Sequence, residues 1–283
     1  MTLSHRFRFL VEHPTFKKRP LRVIWRLAVW LLFKKLGFAP VIKIHRSSQM
    51  RLYPLKCGMG TAGLIYLVRG DFEEVISWCI QTYVKEGGKC LDIGANIGIW
   101  SLLMSEKCGS TGHVYSFEPS SATRKNLGEN IALSKKMNIT VIPTALGETK
   151  GEVSFFTPSD PGRASFAAET SHDAVQTVPV NRLDDVWEEL GRPQISFVKM
   201  DVEGAEPLVL GGANLFFSEC RPVVTSEINF GKLSNLGRKP EEICDFFLNH
   251  NYEMFAFDAG SVQLIRPDHL HGGDFVFIPK ELK

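Results

Sequence analysis

One stretch decides the fold: Lys89-Cys-Leu-Asp-Ile-Gly-Ala-Asn-Ile-Gly-Ile-Trp-Ser101. Its apolar start predicts a buried strand over 89–93, its two glycines predict a tight turn over 94–98, and a helix follows from about residue 97. Glycine lets the backbone turn sharply, and it lets a ligand approach where a Cβ would otherwise stand. The amide groups at the start of the helix favour negative charge. The stretch is therefore typical of half of a nucleotide-type binding crevice.

The spacing of the two glycines argues against a dinucleotide site, because Gly94-Ala-Asn-Ile-Gly98 does not match G-x-G-x-x-G. A glycine turn of this kind also occurs where a strand simply closes onto a helix. The ligand-binding interpretation is favoured by a second predicted strand, 113–117, which ends at Glu118. An acidic residue roughly 20 residues beyond such a turn is placed to accept hydrogen bonds from a ribose diol.

Strands and helices alternate downstream of the glycine turn, and this alternation favours a mostly parallel sheet. Five more strands of the sheet are predicted over 138–142, 195–200, 222–227, 252–257 and 274–278. Helices are predicted over 120–134, 183–190, 204–217 and 240–250. An added hairpin, 151–157 with 175–180, surrounds a polar loop. The predicted fold is an α/β, Rossmann-like, seven-stranded sheet that ends in a hairpin.

Three segments of the chain resemble the FkbM family of S-adenosylmethionine-dependent methyltransferases: Asp92-Ile-Gly-Ala-Asn-Ile-Gly98, Phe117-Glu-Pro119 and Val198-Lys-Met-Asp-Val-Glu-Gly-Ala-Glu206. The resemblance extends over about residues 70–230. It implies a class I methyltransferase fold with helices on both faces of the sheet, and S-adenosylmethionine as the cofactor. It also implies O-methylation of a hydroxyl on a sugar or natural-product-like small molecule.

Four carboxylates lie at the ends of predicted strands, and the carboxyl ends of parallel strands share one crevice: Asp92, Glu118, Asp201 and Glu227. Such groups suit the positive sulfonium, the ribose and the amino group of S-adenosylmethionine. We therefore predict cofactor binding by Asp92, Glu118 and Asp201, and the resemblance adds Gly94, Asn96 and Gly98.

Asp201 and Glu227 are the predicted catalytic residues. Three roles stay open for Asp201: general base for a substrate hydroxyl, partner of the cofactor's amino group, or metal ligand together with Glu227. No metal-ligand set is predicted, and the need for a metal stays open. Glu203 and Glu206 are interpreted as favourable charges in the first turn of a helix.

Two polar stretches are expected near the acceptor. The loop 157–166 places Arg163 and Ser165 toward it, and 229–239 is long enough to act as a lid. Three histidines are candidate bases, although a histidine in a polar loop is more often solvated: His172, His269 and His271.

Residues 1–69 form a basic amino-terminal extension, and residues 70–283 form the predicted methyltransferase domain. A helix is predicted over 20–36, where Pro20 suits a first helical position and Gly37 a stop. Short strands are predicted at 41–45 and 64–68. Two roles stay open for the helix: contact with an anionic membrane surface, or packing on the catalytic domain or on a homodimer partner.

The composition places limits on the function. Among 283 residues, 44% are hydrophobic and 23% charged, as in globular proteins, and the net charge of +2 gives no nucleic-acid signature. Six cysteines without a C-x-x-C pair indicate reduced thiols in a cytoplasmic protein, which the basic helix could associate with a membrane. Two alternatives to O-methylation remain: N-methylation, and a peripheral membrane or assembly protein on a methyltransferase scaffold.

Overall fold

The fold is given by a computed structural model, which describes residues 14–53, 60–68, 74–157, 174–258 and 263–282. The helices are α1 (Pro14–Lys18), α2 (Pro20–Leu36), α3 (Gly60–Val68), α4 (Glu74–Tyr83), α5 (Ile99–Cys108), α6 (Ser121–Leu133), α7 (Leu183–Glu189), α8 (Glu206–Gly211), α9 (Asn214–Glu219), α10 (Phe230–Asn235) and α11 (Pro240–Asn249). A short 3₁₀ helix, Lys280–Leu282, ends the described chain.

The strands are β1 (Val41–Lys43), β2 (Gln49–Arg51), β3 (Lys89–Ile93), β4 (His113–Phe117), β5 (Ile139–Ile142), β6 (Ala145–Leu146), β7 (Gly151–Thr157), β8 (Ala174–Asn181), β9 (Phe197–Met200), β10 (Val223–Ile228), β11 (Tyr252–Asp258), β12 (Gln263–Ile265) and β13 (Gly273–Pro279). The first two pair with each other, β6 to β8 form a small three-stranded sheet, and the remaining eight form the main sheet.

The main sheet has the order β12-β11-β13-β10-β9-β3-β4-β5. The five strands from β10 to β5 run parallel, whereas β13 pairs antiparallel with both β10 and β11. This confirms the predicted α/β, class I methyltransferase fold. The sheet has one strand more than the seven predicted, because the three-residue β12 pairs with the edge of β11. The strand order brings the ends of β4, β3, β9 and β10 side by side.

Two hydrophobic clusters cover the two faces of this sheet. One contains Cys90, Val114 and Phe197 from the strands and side chains from α2 to α5. The other contains Leu91 and Val198, with side chains from α7 to α11. Neighbouring residues of β3 therefore point to opposite faces, as the pleat of a strand requires. Strand β3, which the sequence predicts as a buried apolar strand, therefore contributes side chains to both hydrophobic clusters.

Two predicted elements are wrong in the structure. Residues 64–68 belong to helix α3 and not to a strand. This run is apolar and buried, and a short buried run fits either element, so the pattern could not separate them. The helix predicted over 204–217 is divided into α8 and α9, and the break falls at Gly212 and Ala213.

The amino-terminal segment packs on the same sheet. Trp30 is buried and stacks on Tyr66 with ring centroids 5.3 Å apart. Backbone amides of β2 donate to side chains of α6 and of the residue after it: Arg51 to Asn130 Oδ1 at 2.7 Å, and Gln49 to Ser134 Oγ at 2.8 Å. The division at residues 69 and 70 stays a prediction, and it falls outside the described residues. None of the helices described is both long enough and apolar enough to cross a membrane.

Candidate active site

The glycine turn folds back onto the end of β4. The amides of Gly94 and Ala95 both donate to the Phe117 carbonyl, at 3.1 and 2.9 Å. Gly94 has φ +80°, and a Cβ there would lie 2.0 Å from the Asp201 carbonyl oxygen. The close approach that this glycine permits is therefore to the backbone after β9. Its predicted contact with the cofactor stays a prediction.

Glu118 lies at the end of β4, facing the glycine turn. Its Oε2 accepts from the Asn96 amide at 2.9 Å, and its Oε1 accepts from the Ser120 amide at 2.8 Å. Burial raises the pKa of Glu118 to about 7, although these two amides oppose the rise. A carboxylate has about four lone-pair sites, so two acceptor positions remain beyond the two amide bonds. These acceptor positions fit the two hydroxyl donors of a ribose diol.

Asp92 supports the turn from inside the sheet. Its side chain is fully buried, its Oδ2 accepts from Ser101 Oγ at 2.5 Å, and its Oδ1 lies 3.7 Å from Lys199 Nζ. Lys199 also donates to the Gly94 carbonyl at 2.9 Å. Burial raises the pKa of Asp92, and Lys199 and Ser101 oppose that rise. Contact of Asp92 with the cofactor stays a prediction, whereas its contacts within the sheet hold β3, β9 and the turn together.

Asp201 follows β9 and is more accessible, with 30% of its side chain exposed. Its Oδ2 lies 3.6 Å from Lys199 Nζ, and its Oδ1 is buried without a hydrogen-bond partner among the described residues. Burial works against ionisation of Asp201, but Lys199 and Lys232 outweigh it and lower the pKa. The result is an ionised carboxylate with an oxygen that can still accept a hydrogen bond.

Lys232 of α10 stands among three carboxylates. Its Nζ contacts Glu203 Oε2 closely and lies 2.7 Å from Glu227 Oε2. Desolvation disfavours this ammonium, but Glu203, Asp201 and Glu227 outweigh that cost and raise the pKa of Lys232. Burial and the charge of Asp201 raise the pKa of Glu203 to about 7. Asp201 and Glu203 therefore have pKa values shifted in opposite directions.

The position of Lys232 bears on the open metal question. Its ammonium lies on Glu227, one of the two predicted metal ligands, and supplies positive charge to this cluster. Among the residues that the structure describes, no group of histidine, cysteine, aspartate or glutamate has an arrangement that could hold a metal ion. The sequence places Lys232 in the predicted lid, 229–239, but nothing in its spacing singles it out from Lys239 in the same stretch.

Two further acids, Glu206 and Asp274, interact with the charges of this cluster. Glu206 is buried, and its Oε1 accepts from the Val202 amide at 2.9 Å and from the Gly204 amide at 3.4 Å. It lies in the first turn of α8, as predicted, and it also holds the preceding turn, to which Glu203 belongs; the prediction of Glu203 as a first-turn charge is wrong, because α8 begins only at Glu206. Asp274 pairs in register with Glu227 across β10 and β13. Burial raises the pKa values of both Glu206 and Asp274 to about 7.

The remaining predicted residues are exposed or lie outside the described chain. Arg163, Ser165 and His172 are outside the described residues. His269 and His271 are exposed in the connection between β12 and β13, which is the environment of a solvated histidine.

The family of the chain is established by its sequence. The sequence profile of the methyltransferase FkbM domain matches residues 92–254, which is more than half of the chain. The chain belongs to the FkbM methyltransferase family. It therefore carries a methyltransferase FkbM domain, as its motifs predict, and S-adenosylmethionine stays the expected cofactor. The match covers the glycine turn, Glu118, Asp201 and Glu227.

Solved structures of other methyltransferases are similar to this FkbM methyltransferase. The methyltransferase FkbM of Methylobacillus flagellatus KT is 19% identical, with a TM-score of 0.45 over 68% of this chain and 44% of its own length. An S-adenosylmethionine-dependent O-methyltransferase of Thermotoga maritima is 12% identical, with a TM-score of 0.41 over 72% of this chain and 63% of its own. The chain thus spans less than two thirds of both. Among proteins of curated function, none matches the sequence significantly.

Proposed function

We propose that this FkbM methyltransferase transfers the methyl group of S-adenosylmethionine to a hydroxyl oxygen of a sugar or natural-product-like small molecule. The observation that carries the proposal is the cluster of Asp201, Glu203 and Glu227 around Lys232, at the neighbouring ends of β9 and β10. Carboxylates are strong acceptors for hydroxyl groups. Their negative charge also disfavours polyanionic acceptors such as nucleic acids.

Different residues act on the cofactor and on the acceptor. S-adenosylmethionine supplies an electrophilic methyl group, and Glu118 and the turn before α5 are placed to hold its ribose. Asp201 stays ionised at neutral pH and 30% of its side chain is exposed, so its carboxylate can accept a hydrogen bond from the acceptor and orient it. Orientation of two reactants is a large part of the rate enhancement in a direct displacement.

Glu203 is the better candidate for the general base. A base is most effective when its pKa lies near the working pH, and the pKa of Glu203 is raised to about 7, whereas that of Asp201 is lowered. Glu203 therefore accepts the hydroxyl proton, while Asp201 and Glu227 position the acceptor and Lys232 holds the carboxylates in place. In the sequence this residue is indistinguishable from an ordinary first-turn charge.

The assignment is tested with labelled S-adenosylmethionine and a panel of sugars, hydroxylated small molecules and amines. We expect label in hydroxyl acceptors, and Asp201→Asn and Glu203→Gln to lower kcat by about 10²–10⁴-fold. The matched control is Glu219→Gln, whose carboxylate pairs with Arg192 on the surface. Label that enters only amines would replace the proposal with N-methylation.

The pH profile separates the two acids. Glu203 acts as a base only when deprotonated, so kcat/KM should rise with pH through about 7 and fall below it. Glu203→Gln should lose this rise, whereas Asp201→Asn should keep a pH dependence. A profile in Glu203→Gln that matches the parent enzyme would assign the proton to another group.

A further inference from the structure

Helix α2 has one buried face and one exposed face, and both are apolar. One face buries Val23 and Trp30 in the core of the protein. The other, here called the outer face, exposes 82% of Leu21, 70% of Trp25 and 68% of Leu36. Ile24, Leu31 and Leu32 lie on the same side and are each more than half exposed. Single exposed apolar residues need no explanation, but a contiguous stripe of this kind indicates an interaction surface.

Basic residues stand at both ends of the outer face. Lys17, Lys18, Arg19 and Arg22 are exposed at its amino-terminal end, and Lys35 is exposed at its carboxyl-terminal end. The sequence has no aspartate or glutamate between residues 14 and 46. Within the described chain, these five side chains make no ion pair with a carboxylate. The helix and its flanking residues 14–46 thus contribute charge of one sign to this surface.

We propose that the outer face of α2 binds the surface of an anionic lipid membrane. A helix with a tryptophan- and leucine-rich face and basic flanks lies in the plane of the interface, with its apolar side among the acyl chains and its cations at the headgroups. Each basic residue near such a surface adds attraction to anionic lipids. A rim without any acidic residue matches an anionic surface better than a mixed-charge protein surface.

The buried face of α2 fixes the orientation of the helix on the protein. Val23 and Trp30 pack into the core, and the Arg26 guanidinium donates to the Leu67 carbonyl at 2.7 Å. The helix is about 25 Å long, and its outer face lies on the side opposite Val23 and Trp30. Binding would therefore dock the folded methyltransferase on the membrane without any refolding of this segment.

The test is co-sedimentation of the full chain with vesicles of phosphatidylcholine alone and of equimolar phosphatidylcholine and phosphatidylserine. We expect binding to the anionic vesicles that weakens as salt rises. Trp25→Ser with Leu32→Ser should lower the partition coefficient more than about tenfold, because both side chains leave the acyl region. Lys18→Glu with Arg22→Glu should remove the preference for anionic vesicles.

The matched control is Met137→Ser, which removes an apolar side chain that is 94% exposed and lies after α6. It should bind vesicles as the parent does, and all variants should retain calorimetric binding of S-adenosylmethionine. The proposal is overturned if the full chain ignores anionic vesicles, or if Trp25→Ser with Leu32→Ser binds them unchanged. A dimer that the same double variant dissociates, without vesicle binding, would make the outer face a contact between two copies.

Discussion

Glu118 holds two backbone amides and is also the predicted ligand of the cofactor's ribose. Its two oxygens accept from the Asn96 and Ser120 amides, which leaves about two lone pairs for a ligand. Loss of this carboxylate should therefore change both the cofactor site and the local backbone. The two effects can be measured separately, because binding and unfolding are different experiments.

We expect Glu118→Ala to weaken binding of S-adenosylmethionine by about 5–100-fold, as for loss of charge-assisted hydrogen bonds to the ribose. Isothermal titration calorimetry measures this, and the urea unfolding transition reports the backbone effect. Glu189→Ala, an exposed carboxylate on α7, is the control. A Glu118→Ala protein with unchanged cofactor affinity would show that the ribose lies elsewhere.

At the residue scale, the ends of the predicted strands indicated the carboxylates of the site but not the lysines that lie between them. Asp201 follows β9 and Glu227 lies near the end of β10, so their meeting at one edge of the sheet results from the parallel arrangement. Lys199 lies inside the apolar strand β9, where its ammonium is held by Asp92 and Asp201. A lysine in such a strand gives no sequence signal of its partners, because these are set by the register between β3 and β9.

Helix α2 offers two tryptophans in opposite surroundings. Trp30 is 1% exposed and packs in the core, whereas Trp25 is 70% exposed on the outer face. The same substitution at the two positions therefore measures how far the amino-terminal segment contributes to the stability of the whole fold. Helix propensity is the same for both, so the difference reports burial.

We expect Trp30→Ala to lower the free energy of unfolding by about 3–5 kcal/mol, and Trp25→Ala to change it by less than about 0.5 kcal/mol. Urea denaturation followed by circular dichroism of the full chain gives both values. A single cooperative transition that shifts in Trp30→Ala would show that the amino-terminal segment unfolds together with the main sheet. A transition of the main sheet that ignores Trp30→Ala would support a separate amino-terminal domain.

At the element scale, the sequence predicted most of the main sheet. The strands 89–93 and 113–117 are found with the predicted bounds because each is a buried run between glycine or polar residues. The helix α3 was missed because its burial comes from contacts with α2, which no local pattern contains. The strand β12 was missed because three residues are too few to show a period.

At the scale of the whole molecule, burial raises the pKa of several carboxyl groups to about 7: Glu118, Glu203, Glu206 and Asp274. In the unfolded chain these groups ionise near pH 4. Between about pH 4.5 and 7 the folded protein therefore binds more protons than the unfolded chain, so stability falls as pH rises. His113, whose pKa burial lowers, contributes in the opposite direction.

We expect the free energy of unfolding to be higher at about pH 5.5, which lies within this window, than at about pH 8, which lies above it. Glu206→Gln mimics the protonated acid, so it should reduce the slope by up to about 1.4 kcal/mol per pH unit. Glu189→Gln should leave the slope as it is. Urea titrations across this range measure both, and a stability that rises steadily with pH would contradict the burial of these acids.

The glycine turn and the segment after β9 are fitted to each other at atomic distance. A Cβ at Gly94 would meet the Asp201 carbonyl, and the Gly94 carbonyl accepts a hydrogen bond from Lys199. In recombination between this chain and its relatives, the two segments should consequently be inherited as one block, although about 100 residues separate them. Crossovers between residues 98 and 199 would bring together halves of this contact that have not been selected in the same protein.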